Sequence, residues 1–138
     1  MSKILVTGST GMVGRNVVNL LSMHDYDLLT PSRTELNLEN FSNTLEYFKR
    51  EKPQIVIHCA GLVGGIQANL SKPIEFLTKN IDINKNLIMS SAKMDIKKLI
   101  NLGSSCIYPK NAPNPLKEDQ IMRGQLEPSN EGYAIAKI

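Results

Sequence analysis

Four short apolar runs lie along the chain, separated by longer stretches in which apolar residues recur at helical intervals. The runs are KILVT (3–7), YDLLT (26–30), QIVIHC (54–59) and KKLINLG (97–103). Each is rich in Ile, Val or Leu and short enough for a strand. After the first, Met12, Val13, Val17, Leu20 and Leu21 mark one helix face; after the second, Phe41, Leu45 and Phe48 mark another. After the third, Pro73 can open a helix as its first residue, and Phe76, Asn80, Ile83 and Leu87 continue one stripe. Strands alternating with helices predict an α/β fold with a parallel, doubly wound sheet of about four β-α units, covered on both faces by helices. Such sheets normally hold about five or six parallel strands, so this one is expected to be unfinished at Ile138.

From Tyr108 to Ser129 the periodicity lapses into a stretch containing four prolines. Irregular loops of that length within a domain are usually functional. This one delivers the chain to EGYAIAKI (131–138), where Tyr133 and Lys137 share a helix face.

Composition narrows the reading. The 138 residues are 41% hydrophobic and 21% charged, as in an ordinary globular protein of one domain. Sixteen basic and thirteen acidic residues leave a net charge of +3, dispersed apart from pairs such as Lys49-Arg50 and Lys97-Lys98. A nucleic-acid partner, which needs cations clustered on a face, is not expected. The apolar core of MSKILVTGS is too short for a signal peptide, and no run approaches the roughly 18 residues of a membrane helix. The expected location is therefore the cytoplasm, with no membrane association. Cys59 and Cys106 form neither a disulfide framework nor a metal-ligand spacing.

The first strand runs straight into TGSTGMVG, with Gly8, Gly11 and Gly14 at three-residue intervals. Glycines there let the backbone turn tightly against a pyrophosphate, while the following helix offers free N–H groups and the positive end of its dipole. The plain alternative is a glycine turn used only for packing. With a strand before it and an amphipathic helix after it, the triplet makes residues 1–138 read as an incomplete Rossmann-type dinucleotide-binding domain. An acid at the end of the second strand would bind the ribose of NAD, whereas an Arg nearby accommodates the 2′-phosphate of NADP. The segment LLTPSRTELNL has no acid at the strand end and Arg33 just beyond it, which points to NADP(H). Glu35 as a ribose ligand, and Arg33 as a solvated side chain, are the alternatives. Small residues in CAGL (59–62) give the middle of a cofactor room to lie, and His58 reads as a buried strand-end residue.

Chemistry centres on LGSSCIYP (102–109), leaving the carboxyl end of strand four, and on the Tyr133 helix. A ketone that accepts hydride needs a proton donor at its oxygen, and tyrosine near pKa 10 is sluggish at neutral pH. The Lys137 cation is expected to lower the Tyr133 pKa, and Ser104 to hold the carbonyl oxygen by hydrogen bonding. A surface Tyr and Lys is the alternative. Cys106 is either a small hydrophobe after a strand or a thiol that a cationic neighbour makes basic enough to act as a base.

From Lys3 to Ile138 the chain resembles the extended short-chain dehydrogenase/reductases and, within them, the GDP-L-fucose synthase family. The narrow words are VGGI (63–66) followed by Asn69, LGSSCIYPK (102–110) and LEPSNEGYAIAKI (126–138). The resemblance implies NADPH-dependent epimerisation at C3 and C5 and reduction at C4 of GDP-4-keto-6-deoxy-D-mannose. It implies Ser104, Tyr133 and Lys137 as the proton-relaying triad and Cys106 as the epimerisation base. Cofactor contacts are expected from Gly8, Gly11, Met12, Val13, Gly14, Arg33, Asn37, Leu38, Cys59, Ala60, Gly61 and Lys137. It also implies a homodimer built through helices, one of them the 73–93 segment, and a substrate-binding C-terminal domain that is absent here.

Some positions depart from the family pattern. Its partner acid, a His further along, has no counterpart in His24 or His58. Ser129 stands where Thr is common, Gly61 and Leu62 are smaller or less polar than expected, and Thr10 replaces a basic residue, leaving Arg33 to meet the 2′-phosphate alone. On this reading the 138 residues alone neither turn over a nucleotide sugar nor fold robustly. The rival readings are a nucleotide-sugar 4-epimerase or 4,6-dehydratase using bound NAD, and a non-catalytic nucleotide-binding module.

Overall fold

A computed structural model describes residues 2–138. The elements are β1 (Lys3–Thr7), α1 (Met12–Leu21), β2 (Asp27–Leu29), α2 (Phe41–Glu51), β3 (Ile55–His58), α3 (Ile66–Ser71), α4 (Pro73–Lys93), β4 (Lys98–Asn101) and α5 (Glu131–Lys137). The four strands form one parallel sheet in the order β2-β1-β3-β4, with Leu5 opposite both Leu29 and Val56, and Ile57 opposite Ile100. The expected parallel α/β fold is thus present, with β2, β3 and β4 each shorter than its apolar run. Gln54, for example, lies outside the strand while its backbone N–H still donates to the Lys3 carbonyl (2.9 Å).

The chain divides into two compact units, Met1–Gly61 with Asp82–Leu102, and Leu62–Ile81 with Gly103–Ile138. The first holds the sheet. Its core is Leu5, Leu36, Leu38, Tyr47, Phe48, Val56, Ile83 and Leu87, so α2 and the second part of α4 pack together over β1 and β3. Asn40 caps α2 by accepting from the Asn43 N–H (3.0 Å), and Lys52 ends it in the left-handed conformation with its N–H on the Phe48 carbonyl (2.9 Å). The stripe foreseen on α4 is buried at Phe76, Asn80, Ile83 and Leu87.

The other apolar stripe behaves differently. Met12 is 80% and Leu20 61% exposed, and Gly14 is the buried residue of α1. Helical spacing creates an apolar face on α1 but does not supply the surface that would cover it, and no described residue buries those two side chains. β4 is exposed in the same way, with Ile100 open to solvent at the sheet edge.

In the second unit, one short 3-10 turn, Ser105–Ile107, precedes the segment that reads as irregular, a second, Glu118–Gln120, lies within it, and a third, Pro128–Asn130, closes it. Local side-chain caps stabilise them rather than apolar periodicity. Asn80 braces this unit: its side chain accepts from the Leu62 N–H (2.8 Å) and donates to the carbonyls of Leu62 (3.0 Å) and Phe76 (2.7 Å). Among the described residues no helix is long and apolar enough to cross a membrane.

Candidate cofactor and acid-base sites

In the first unit the glycine turn joins β1 to α1. Gly8 has φ +65°, a left-handed conformation, and a Cβ there would lie 2.8 Å from Cα and N of Ala60. A Cβ on Gly14 would lie 2.1 Å from the Gly8 carbonyl oxygen. The backbone therefore approaches as closely as side-chain-free residues permit. Gly11 caps α1 without any side-chain hydrogen bond, which leaves the first amides of the helix available. Met12 and Val13 stand exposed at that end. An uncapped helix start behind a turn that a Cβ would fill suits a pyrophosphate.

The turn is braced from β3. Thr7 Oγ1 accepts from the Ala60 N–H (3.3 Å) and bonds His58 Nδ1 (2.7 Å), and His58 Nε2 meets Asn84 Oδ1 (3.1 Å). All three bonds are satisfied when the Thr7 hydroxyl donates to Nδ1 and Nε2–H donates to Asn84. His58 is buried and structural, as its place at a strand end suggests. This network holds Cys59 and Ala60 beside Gly8.

Beyond β2, Arg33 is exposed and ion-paired with Glu39. Glu35 is engaged elsewhere: its carboxylate accepts from the Ser32 N–H (2.8 Å) and hydroxyl (2.7 Å), and these bonds hold it below the usual carboxylate range. It caps a turn rather than standing free for a ribose. Asn37 is fixed by donating its N–H to Asn43 (2.7 Å) and accepting from the Glu39 N–H (3.1 Å). Leu38 has its side chain in the core, and its carbonyl accepts from Asn86 (2.9 Å). Only its main chain is left for any ligand.

The second unit brings Ser104, Cys106, Tyr133 and Lys137 onto neighbouring elements. Ser104 caps the 3-10 turn that follows it, its hydroxyl oxygen accepting from the Cys106 N–H (3.3 Å), and it hydrogen-bonds Tyr133. Asn130 donates its amide to Cys106 Sγ (3.0 Å). Glu127 caps the turn into α5 by accepting from the Ser129 N–H (3.3 Å) and hydroxyl (3.2 Å). Gly132 allows α5 to sit against α4, since a Cβ there would lie 2.7 Å from the Pro73 carbonyl oxygen. A pocket of about 180 Å³ opens beside Tyr133, lined in part by Asn69 and Asn130. Each of these asparagines has a buried amide oxygen with no hydrogen-bond partner.

The Tyr133 pKa differs from expectation. It is raised, first by burial and then by the negative charge that Cys106 can carry, with the Ser104 hydrogen bond opposing both. Lys137 Nζ lies over the Tyr133 ring, 5.9 Å from its centre. Asn130 and Gly132 escaped the residue-by-residue reading although both lie inside LEPSNEGYAIAKI, and only that word signalled them.

A parallel sheet whose first strand opens through a side-chain-free turn onto an uncapped helix defines a Rossmann-type dinucleotide-binding protein. The model of the NAD dependent epimerase/dehydratase family matches residues 4–138, and the chain belongs to that family. It is 48% identical over 136 residues to a GDP-L-colitose synthase of Yersinia pseudotuberculosis, covering 99% of this chain and 44% of that protein. It is 44% identical over 135 residues to a GDP-L-fucose synthase of Azorhizobium caulinodans, covering 98% of this chain and 43% of that one. A solved GDP-mannoheptose C4 reductase from Campylobacter jejuni, with NADP bound, superposes with a TM-score of 0.93 at 36% identity, over 99% of this chain and 43% of that chain. The chain thus spans less than half the length of these relatives.

Proposed function

We propose that this chain is the N-terminal, NADP-binding part of a longer GDP-sugar epimerase-reductase that converts GDP-4-keto-6-deoxy-D-mannose to GDP-L-fucose. The observation that carries the reading is the grouping of Ser104, Tyr133 and Cys106, with Tyr133 bonded to Ser104 and coupled in charge to Cys106. The relatives' names, GDP-L-fucose synthase among them, support the substrate class. The NADP-bound heptose reductase supports the cofactor.

In this reading NADPH supplies hydride to C4. The former carbonyl electron pair moves onto oxygen, which takes the Tyr133 proton. A raised pKa keeps Tyr133 protonated until that moment, as a proton donor requires. Ser104 orients the same oxygen. Cys106 takes the protons at C3 and C5, which the 4-keto group acidifies, and Tyr133 with Ser104 stabilises the resulting enolate. The acid that reprotonates the opposite face lies outside these residues, since His58 is bonded on both ring nitrogens. Gly8, Gly11, Gly14 and the amides of Met12 and Val13 receive the pyrophosphate, and Arg33 the 2′-phosphate. Lys137 reaches the nicotinamide ribose.

Exposed Ile74, Ile81 and Ile88, seven residues apart along α4, offer a seam for a homodimer. A cytoplasmic location fits an enzyme of nucleotide-sugar biosynthesis. The 138 residues alone turn over no substrate, because the reprotonating acid and the substrate domain are not among them.

A second reading, C4 reduction of a GDP-sugar without epimerisation, is favoured by the likeness to the heptose C4 reductase. Solvent deuterium separates the two. The longer protein, given GDP-4-keto-6-deoxy-D-mannose and NADPH in deuterium oxide, should incorporate deuterium at C3 and C5 in a Cys106-dependent manner. Reduction without incorporation establishes the second reading. Stoichiometric GDP-L-fucose from the 138 residues alone overturns the part played by the missing domain.

A further inference from the structure

The segment after β2 holds one cation suited to a 2′-phosphate, and that cation already has a partner. Arg33 has a long, exposed side chain (76%), whereas the Glu39 carboxylate it meets is better covered (28%). Glu39 is also rooted: its N–H donates to Asn37 Oδ1 (3.1 Å), Asn37 is held by Asn43 (2.7 Å), and Asn40 caps α2 immediately afterwards. Glu35, the other acid of the segment, is bound to Ser32 through two hydrogen bonds and does not compete. A 2′-phosphate that engages Arg33 must therefore draw the guanidinium away from Glu39, or lie beside a carboxylate that repels it. NADH, lacking that phosphate, meets neither obstacle.

We infer that Glu39 sets how strongly the protein prefers NADP(H) over NAD(H), by competing with the 2′-phosphate for the Arg33 guanidinium. The inference rests on the proposed role of Arg33. Because both groups reach solvent, the competition weakens as salt screens it.

The test is a fluorescence titration of the longer protein that contains this chain, with NADPH and with NADH, at about 0.05 M and 0.5 M salt. Glu39→Gln should tighten NADPH about threefold to tenfold, leave NADH within about twofold, and lose most of the gain at the higher salt, in keeping with an exposed pair. Arg33→Leu should abolish the preference for NADPH, and adding Glu39→Gln to it should restore little. If Arg33→Leu loses the preference while Glu39→Gln leaves the NADPH to NADH ratio unchanged, or lowers it, competition is overturned and Arg33 stands. If Arg33→Leu keeps the full preference, the role of Arg33 falls and the inference with it. Far-UV spectra of the variants matching the parent keep these outcomes free of misfolding, and a parent that shows no saturable NADPH binding refutes both.

Discussion

Replacing Gly8 by alanine tests the phosphate turn where its geometry is tightest. At φ +65° an L side chain costs about 1–2 kcal/mol. The new Cβ would also sit 2.8 Å from two backbone atoms of Ala60 and 3.0 Å from the carbonyl carbon of Cys59. Backbone atoms cannot rotate aside as a side chain can, and such overpacking costs about 1–3 kcal/mol. The expected loss is about 2–5 kcal/mol, a large share of the about 5–15 kcal/mol that holds a typical domain. Urea unfolding followed by far-UV circular dichroism reads it directly. With a slope of about 1–3 kcal/mol per molar, the midpoint should fall by about 0.7 M or more. Gly103→Ala is the matched control, with nothing within 4 Å of its added Cβ and no positive φ, and should leave the midpoint unchanged or slightly higher. A Gly8→Ala protein as stable as its parent would refute the close approach of β1 and β3 at this turn.

Other perturbations reach the rest of the structure. Burial raises the Tyr47 pKa to about 12; the folded state therefore favours the protonated phenol, and stability present below about pH 10 should be lost as pH rises toward 12. Absorbance at the tyrosinate band against pH should show that late ionisation, and Tyr47→Phe should remove it. Thr7→Val strips a hydroxyl bonded to His58 and Ala60 and should cost about 1–3 kcal/mol by leaving buried polar groups unpaired, measured again in urea. The Asn130 amide holds Cys106 Sγ in place at 3.0 Å, so Asn130→Leu should change the rate at which iodoacetamide alkylates Cys106, read by peptide mass spectrometry. An unchanged rate would mean that the Asn130 bond positions nothing that matters to the thiol.

Much of the fold is legible in the order of residues, because local physics decides it. Runs such as ILV in β1 and IVI in β3 have one stable use, and the spacing of Gly8, Gly11 and Gly14 speaks for a turn between strand and helix. Ile83 and Leu87 are buried because their period matches a helix that has a sheet to pack on. The same period on α1 misleads at Met12 and Leu20, since periodicity describes a face and not what covers it. The strand-four serine and the tyrosine-lysine pair were visible as spacing, yet the direction of the Tyr133 shift was not. It depends on burial and on a thiol 27 positions earlier in the chain. The bonds of Asn130 to Cys106 and of His58 to Thr7 and Asn84 join residues 24, 51 and 26 positions apart. No local pattern encodes them.

The central claim is that the glycine turn and Arg33 make this chain a binder of NADPH. Titrating the longer protein that contains this chain with NADPH and with NADH, and following nicotinamide fluorescence, tests it most directly. Saturable NADPH binding, about tenfold or more tighter than NADH as expected for a bidentate Arg–phosphate contact, in a sample with a folded α/β far-UV spectrum, is the predicted result. A folded sample that binds neither cofactor, or binds NADH more tightly, would contradict it.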